Sequence, residues 1–259
     1  MRKRPASAIS RYDLYRWCVQ DAQAMCRFLH AAHGKKPLSL REDFAGPAGL
    51  AAEWAGQSPA HTALAVDIDR EPLSHAPASA RLKKKVADAL RCRDRADIIA
   101  LFNFAAGEIH DRRRLVAYFK VLRASLKKGG IAALDIYGGS NAFAPGSLST
   151  FARIPGGRQR VRYTWQQVAA DPDTGMVENH LHFSIGRQKW PSAFIYKWRL
   201  WSIPELRDAL LEAGFSTVET YDRLGDAVDQ HGNLRIRPVS PEKGRPLDDD
   251  FVVYLIARK

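Results

Sequence analysis

The chain has 259 residues, 40 Lys and Arg against 28 Asp and Glu, and a formal net charge of +12. With 46% apolar and 26% charged residues it reads as a globular protein rather than a disordered or fibrous one, and it is long enough to bury a core without disulfide staples. Its three cysteines, Cys18, Cys26 and Cys92, lack the spacing of a metal knot or a disulfide framework, and no apolar run approaches the ~20 residues of a membrane span. The basic start Met1 to Arg4 is followed by polar, amphipathic sequence rather than an apolar core. A signal peptide is therefore not expected, and a cytoplasmic location is. The positive charge permits binding to RNA or other polyanions, but the basic residues fall in short, scattered clusters at 81–85, 91–95 and 112–114.

Residues 11–32 have helical spacing through Leu14, Trp17, Cys18, Met25, Phe28 and Leu29, behind a capping box at Ser10 and Asp13, and Gly34 and Pro37 end the run. Short apolar strands then alternate with helices. Strands are expected at 38–44, 63–68, 97–104 and 131–137, with a helix starting at Pro47 and another near Glu71-Pro72. A long helix shows one face through Leu115, Tyr118, Phe119, Leu122 and Leu126, with Lys127, Lys128 and Gly129 as its stop signals. This alternation implies a parallel sheet covered on both faces. Residues 159–200 change character. Alternating segments around 162–168, 176–185 and 193–200, with a turn at 171–175, read as an antiparallel meander inserted after the fifth parallel strand. A capping box at Ser202 and Glu205 opens another helix that ends at Gly214, and strands at 215–221 and 251–257 close the chain around a polar, loop-like stretch at 223–250. The implied organisation is a helical cap (1–36), a Rossmann-like core (37–140), an antiparallel β insertion (141–200) and a C-terminal completion of the core sheet (201–259).

Four segments point to chemistry. Arg41-Glu42-Asp43-Phe44-Ala45-Gly46-Pro47-Ala48-Gly49-Leu50 ends a strand in acids and turns through small residues into a helix N-terminus. Ligands of α/β sheets bind at such strand ends, and helix N–H groups attract a carboxylate. Only Gly46 and Gly49 are present, so the G-x-G-x-x-G dinucleotide fingerprint is absent. Val66-Asp67-Ile68-Asp69 follows about 20 residues later, where an acid can accept both hydroxyls of a ribose. Asp67 is assigned there, and Asp69 is assigned to the following helix cap. Asp88, in Val86-Ala87-Asp88-Ala89, is placed to accept from an adenine amino group, and Asn103, in Leu101-Phe102-Asn103-Phe104, closes the next strand facing a cleft.

In this order and spacing the four segments resemble class I S-adenosylmethionine-dependent methyltransferases. Tyr12-Asp13-Leu14-Tyr15, Val19-Gln20-Asp21, Arg41 to Gly46, Asn103-Phe104 and Trp198-Arg199-Leu200-Trp201 with Pro204-Glu205-Leu206 further resemble a bacterial branch whose cofactor loop reads R-E-D-F-C-G-T-A. The resemblance covers residues 11 to 221, and departs where Ala45 and Pro47 replace Cys and Thr and where Ala105-Ala106-Gly107 replaces Ser and an aromatic. It implies a doubly wound, mostly parallel seven-stranded sheet and S-adenosyl-L-methionine as cofactor. Asp43, Ala45 and Gly46 would line its methionine end, Asp67 its ribose, Asp88 and Ala89 its adenine, and Asn103 and Phe104 the sulfonium and the acceptor. Tyr15 and Gln20 would close the site.

The insertion would then shape the acceptor pocket. Tyr163 with Trp165, His180 with His182, and Tyr196 with Trp198 each share a strand face. Aromatic faces suit a sulfonium or an amine, and His180 or His182 is the candidate base. No acid is spaced to make those histidines a metal site, so no metal is expected. A small-molecule methyltransferase is the leading reading. A methyltransferase acting on RNA or protein, and a non-catalytic nucleic-acid-binding or scaffold protein on the same fold, are the alternatives.

Overall fold

The computed structural model describes residues 9–222, 231, 233 and 247–259, so the basic N-terminus and nearly all of the 223–250 loop lie outside the described residues. Helix α1 (Arg11–Cys18) starts on the expected capping box, Ser10 accepting from the Asp13 N–H and Asp13 from the Ser10 N–H. The single helix expected over 11–32 is two. Asp21 acts as an N-cap, accepting from the Ala24 N–H at 2.9 Å, and opens α2 (Ala22–His33) after a break at 19–21. The reason is local: a side chain that satisfies an orphan donor competes with continuing the helix. The break is what turns Gln20 toward the core sheet.

Seven strands build that sheet: β1 (Ser39–Asp43), β2 (Thr62–Asp67), β3 (Leu82–Val86), β4 (Ala96–Leu101), β5 (Leu126–Gly138), β10 (Thr217–Tyr221) and β11 (Phe251–Arg258). Their spatial order is β10-β11-β5-β4-β1-β2-β3, parallel except for β11, which runs antiparallel to both neighbours. This is the mostly parallel seven-stranded sheet expected from the sequence. Chain order reverses between β1 and β4, which marks a cleft at the carboxyl ends of those strands. Alternate residues of β4 serve opposite faces. Ile98 and Ala100 join Phe28, Leu29, Leu50 and Trp54, whereas Ile99 and Leu101 join Leu115, Tyr118, Phe119 and Leu206. Each such fully buried Leu or Phe contributes about 1.5–3 kcal/mol of transfer free energy.

Three local expectations are corrected. The helix after β1 is α3 (Gly49–Gln57), starting past Pro47, because Phe44, Gly46 and Ala48 all take positive φ and keep the loop coiled until Gly49. Helix α5 (Arg112–Ser125) stops before Leu126, and Lys127 and Lys128 belong to β5. Leu126 pairs with Ala96, and Gly129 and Gly130 sit at a shift of register, where a Cβ on Gly130 would lie 2.7 Å from the Asp97 carbonyl. The glycines thus make a strand irregularity rather than a helix stop. Strand β3 is exposed through Lys83 to Lys85, lysines that blunt an edge rather than an apolar run that announces one.

The insertion is a four-stranded antiparallel sheet, β6 (Gly146–Arg153), β7 (Arg160–Asp171), β8 (Met176–Ile185) and β9 (Gln188–Arg199), in that spatial order. The meander read from the sequence is its last three strands. Strand β6 carries no buried face, so it lacks the periodic pattern that reveals the others. Leu181, Phe183 and Val161 pack with Leu14 and Tyr15 of α1, tying the N-terminal helix to the insertion. Short helix α4 (Arg70–Ser74) is capped by Asp69, as expected, and α6 (Ile203–Glu212) by the expected box at Ser202 and Glu205. No helix of the described residues is long and apolar enough to cross a membrane.

Candidate functional site

The loop after β1 lies at the reversal of chain order. Asp67, at the end of β2, leans over it: one carboxylate oxygen accepts from the Gly46 N–H at 2.7 Å, and the other accepts from the Asp69 N–H at 2.9 Å. Gly46 has φ +51, and nothing lies within 4 Å of where a Cβ would project, so the loop is left open on that side. On the other side Gln20 covers Gly49 so closely that a Cβ there would meet its Oε1 at 2.3 Å. That oxygen is buried and has no hydrogen-bond partner among the described residues. Glu42 accepts from the Ala51 N–H of α3 at 2.8 Å. Full burial pushes the Glu42 carboxyl up to about 8, against the opposing pull of that N–H and of the Gln20 side chain. Glu42 was not among the residues singled out from the sequence. The signal was strand alternation, which puts it opposite its neighbour Asp43.

Asp43 ends the same strand. Its side chain accepts from the buried Arg41 guanidinium at 2.8 Å and from the Tyr118 hydroxyl at 2.8 Å, and only 1% of the residue is exposed. Both partners engage Oδ2, on the α5 side, while Oδ1 is buried without a hydrogen-bond partner among the described residues. Ala45 is buried, with its N–H bonded to the Val66 carbonyl at 3.0 Å. Asp88 caps the short 3-10 turn Ala89–Arg91 by accepting from the Leu90 N–H at 2.9 Å, and Ala89 is buried.

After β4 the backbone is strained. Asn103 and Phe104 both adopt left-handed conformations, φ +60 and +62, which non-glycine residues rarely take. Asp135 of β5 holds them there, accepting from the Asn103 N–H at 3.0 Å and the Phe104 N–H at 2.7 Å. Burial outweighs these donors and pushes its carboxyl up to about 7. The Phe104 ring is thereby set edge-on to Tyr137 at 4.9 Å and to Trp198 at 5.7 Å. Asp135→Ala is expected to lower stability by about 2–4 kcal/mol, from the loss of two bonds to a buried carboxylate, and to release the Asn103 and Phe104 amides to hydrogen exchange. Unchanged protection of those two amides would show that Asp135 does not hold the turn.

Phe104 belongs to an aromatic wall. Tyr196 stacks on Trp198 at 4.5 Å, Trp165 meets Tyr137 edge-on at 5.2 Å, and Tyr15 meets Phe194 at 5.1 Å. Tyr163, predicted beside Trp165, is stacked on Phe183 at 5.4 Å further along the sheet. The Tyr196 hydroxyl feels the charges of Glu108 and Asp67, and that of Tyr15 feels Asp135. Phe104, Tyr137 and Trp198 line a small space with Gly107 and Leu200, between the core sheet and the insertion. Glu108, in the 3-10 turn Ala105–Glu108, was missed by the sequence reading. It accepts from the Trp198 indole N–H at 2.7 Å.

His180 and His182 are not brought to this space. Along β8, Val177, Asn179, Leu181 and Phe183 point inward, and the two histidines take the opposite face by the two-residue period of a strand. His180 is bonded to Ser192 Oγ (3.0 Å) and Glu178 (2.8 Å), and His182 to Gln166 Oε1 (3.1 Å) and the Ser192 N–H (2.9 Å). Their expected role as base is withdrawn. No group of three or more His, Cys, Asp or Glu side chains among the described residues is arranged to hold a metal.

No family model and no curated protein matches the sequence. Solved structures do match it over essentially the whole chain. A S-adenosylmethionine-dependent methyltransferase from Clostridium acetobutylicum ATCC 824 is 16% identical over 94% of this chain and 96% of its own, with a TM-score of 0.66. The sugar N-methyltransferase KedS8 from Streptoalloteichus sp ATCC 53650 is 14% identical over 100% and 97%, TM-score 0.67. CalS10, an amino pentose methyltransferase from Micromonospora echinaspora solved with S-adenosylmethionine bound, is 13% identical over 100% of each chain, TM-score 0.65. At such identities the likeness is one of fold: the chain has the Rossmann-like fold of methyltransferases, with an added antiparallel sheet.

Proposed function

We propose that the protein is a S-adenosyl-L-methionine-dependent methyltransferase acting on a small-molecule acceptor. The observation that carries this reading is Asp67, held by the Gly46 and Asp69 N–H groups beside open space over Gly46, at the reversal of strand order. In α/β sheets that is where the ribose of a nucleoside ligand binds. The donor set fits the cofactor. Asp67 keeps lone pairs for two ribose hydroxyls, and Asp88 stands at the end of β3 for the adenine edge. The unpartnered Gln20 Oε1 is an acceptor for the ammonium of the methionine end. When bound, the cofactor supplies a methyl group already activated on a sulfonium, so the protein's work is alignment and exclusion of water. Tyr15, Tyr196, Trp198 and Phe104 would wall off the reacting atoms, and Asp135 fixes Phe104 in place. The neighbours KedS8 and CalS10, which act on sugars, favour an acceptor of small-molecule size.

Calorimetric titration with S-adenosylmethionine and S-adenosylhomocysteine tests the reading, and micromolar binding with a rise in Tm is expected. Asp67→Ala should weaken either by about 1–3 kcal/mol through loss of the ribose contact. Unchanged affinity in a folded Asp67→Ala variant would remove the ribose assignment, and no binding by the folded wild type would remove the proposed function.

A further inference from the structure

We propose that the outer face of the insertion sheet carries a second reactive centre, a Ser192–His180–Glu178 triad that hydrolyses carboxylic esters through an acyl-serine. It lies on the face of β8 turned away from the methyl-transfer site and does not depend on that reading. His180 Nε2 is 2.8 Å from Glu178 Oε1, and its Nδ1 is 3.0 Å from Ser192 Oγ. A carboxylate only accepts, so in the neutral ring Nε2 carries the proton and Nδ1 is left to accept from the Ser192 hydroxyl. The His180 contact holds the Glu178 carboxyl below its ordinary range, and Lys197 stands 3.5 Å from its second oxygen. A hydroxyl on a base that a third group orients is the arrangement of an activated nucleophile.

Ser192 is also strained. Its φ is +43, whereas the other described non-glycine residues with positive φ, Phe44, Ala48, Asn103 and Phe104, lie in the loops after β1 and β4. The strain belongs to a bulge. Leu181 pairs with Phe194 but Phe183 pairs with Trp190, so Pro191, Ser192 and Ala193 stand against His182 alone. His182 closes the bulge: its Nδ1 accepts from the Ser192 N–H at 2.9 Å, and its Nε2 donates to Gln166 Oε1 at 3.1 Å. Bulges re-aim side chains, and strain of this kind concentrates at functional positions. Gln166 is the register partner of His180. With its carbonyl on His182, its amide nitrogen is the donor that this face offers a developing oxyanion. Ile195, the partner of His180 on β9, is 52% exposed and gives an acyl chain an apolar step.

In the reaction Ser192 Oγ attacks the ester carbonyl carbon and its proton passes to His180 Nδ1. The bond to the alcohol oxygen breaks, and that oxygen takes the proton. Water, deprotonated by the same nitrogen, then attacks the acyl-serine, releasing the carboxylic acid and returning the proton to Oγ. A fluorophosphonate probe and p-nitrophenyl butyrate test the triad. Intact-mass analysis of the wild type is expected to show a single adduct, formed with loss of fluoride and mapped to Ser192, and the ester to be hydrolysed with a burst of p-nitrophenolate. Ser192→Ala and His180→Gln should each lose both reactions by at least about a hundredfold. Ser192→Gly relieves the positive φ and should abolish labelling while Tm holds or rises, which separates a lost nucleophile from a lost fold. Glu178→Gln, at the positioning residue, should lower kcat by about tenfold or more with KM unchanged. No adduct on Ser192 in the folded wild type, labelling that survives in His180→Gln, hydrolysis that survives in Ser192→Ala, or an unchanged kcat in Glu178→Gln would each overturn the triad.

Discussion

Asp43→Ala is expected to destabilise the protein by about 3–5 kcal/mol, the penalty for leaving a buried charge without its partner. Arg41 is fully buried. It spends one terminal nitrogen on the carbonyls of Cys92 (3.2 Å) and Asp94 (2.8 Å) and the other on Asp43 at 2.8 Å, and its Nε has no hydrogen-bond partner among the described residues. Removing Asp43 strands the guanidinium and takes the acceptor from the Tyr118 hydroxyl. The pair is not thereby a large net source of stability. Burial drives the Asp43 carboxyl upward even against Arg41 beside it, as expected when desolvation rivals attraction. The double variant Arg41→Met with Asp43→Leu should therefore recover most of what the single variant loses, a coupling read by urea denaturation of the full cycle. A single-variant loss below about 1 kcal/mol would show that water reaches Arg41 and that the pair is not sealed.

The second large effect is in pH. Glu42 titrates at the ordinary 4.5 when unfolded and at about 8 when buried under α3 and Gln20. Between those values the folded state keeps a proton that the unfolded state has lost. Stability from this group is thus fully present below about pH 4.5 and is lost as pH rises toward 8, by on the order of 4 kcal/mol. Asp135, raised from 3.8 to about 7, tilts the curve the same way. Glu42→Gln keeps an acceptor for the Ala51 N–H and removes the ionisation, so its stability should fall less steeply between pH 5 and pH 8. Thermal and urea unfolding of both proteins across that range would decide. Parallel stability curves for variant and wild type would mean that Glu42 is not the group titrating.

Much of this architecture was legible in the chain because its signals are local. Periodicity placed most of the core strands, and the capping boxes at Ser10 and Ser202 and the cap at Asp69 placed helix starts. What failed were features whose meaning depends on a neighbour. Strand β3 carries lysines because it is an edge, and β6 has no buried face to advertise. Gly129-Gly130 reads as a helix stop until the pairing of Leu126 with Ala96 shows it to be a strand irregularity.

The candidate site divides along the same line. The sequence by itself determined the strand-end acids, the open small-residue loop and the aromatic pairs, since these follow from residue type and spacing. Only the tertiary structure decided which way each side chain faces. A one-residue step along β1 puts Asp43 in the core and Glu42 under Gln20, and the same step along β8 turns His180 and His182 away while Leu181 and Phe183 face in. Only the crossing of the insertion over the turn at Ala105–Glu108 joins Trp198 to Glu108, 90 residues apart in the chain. The side-chain period of a strand is two, so function there hangs on a register that neighbouring strands set and that composition does not record.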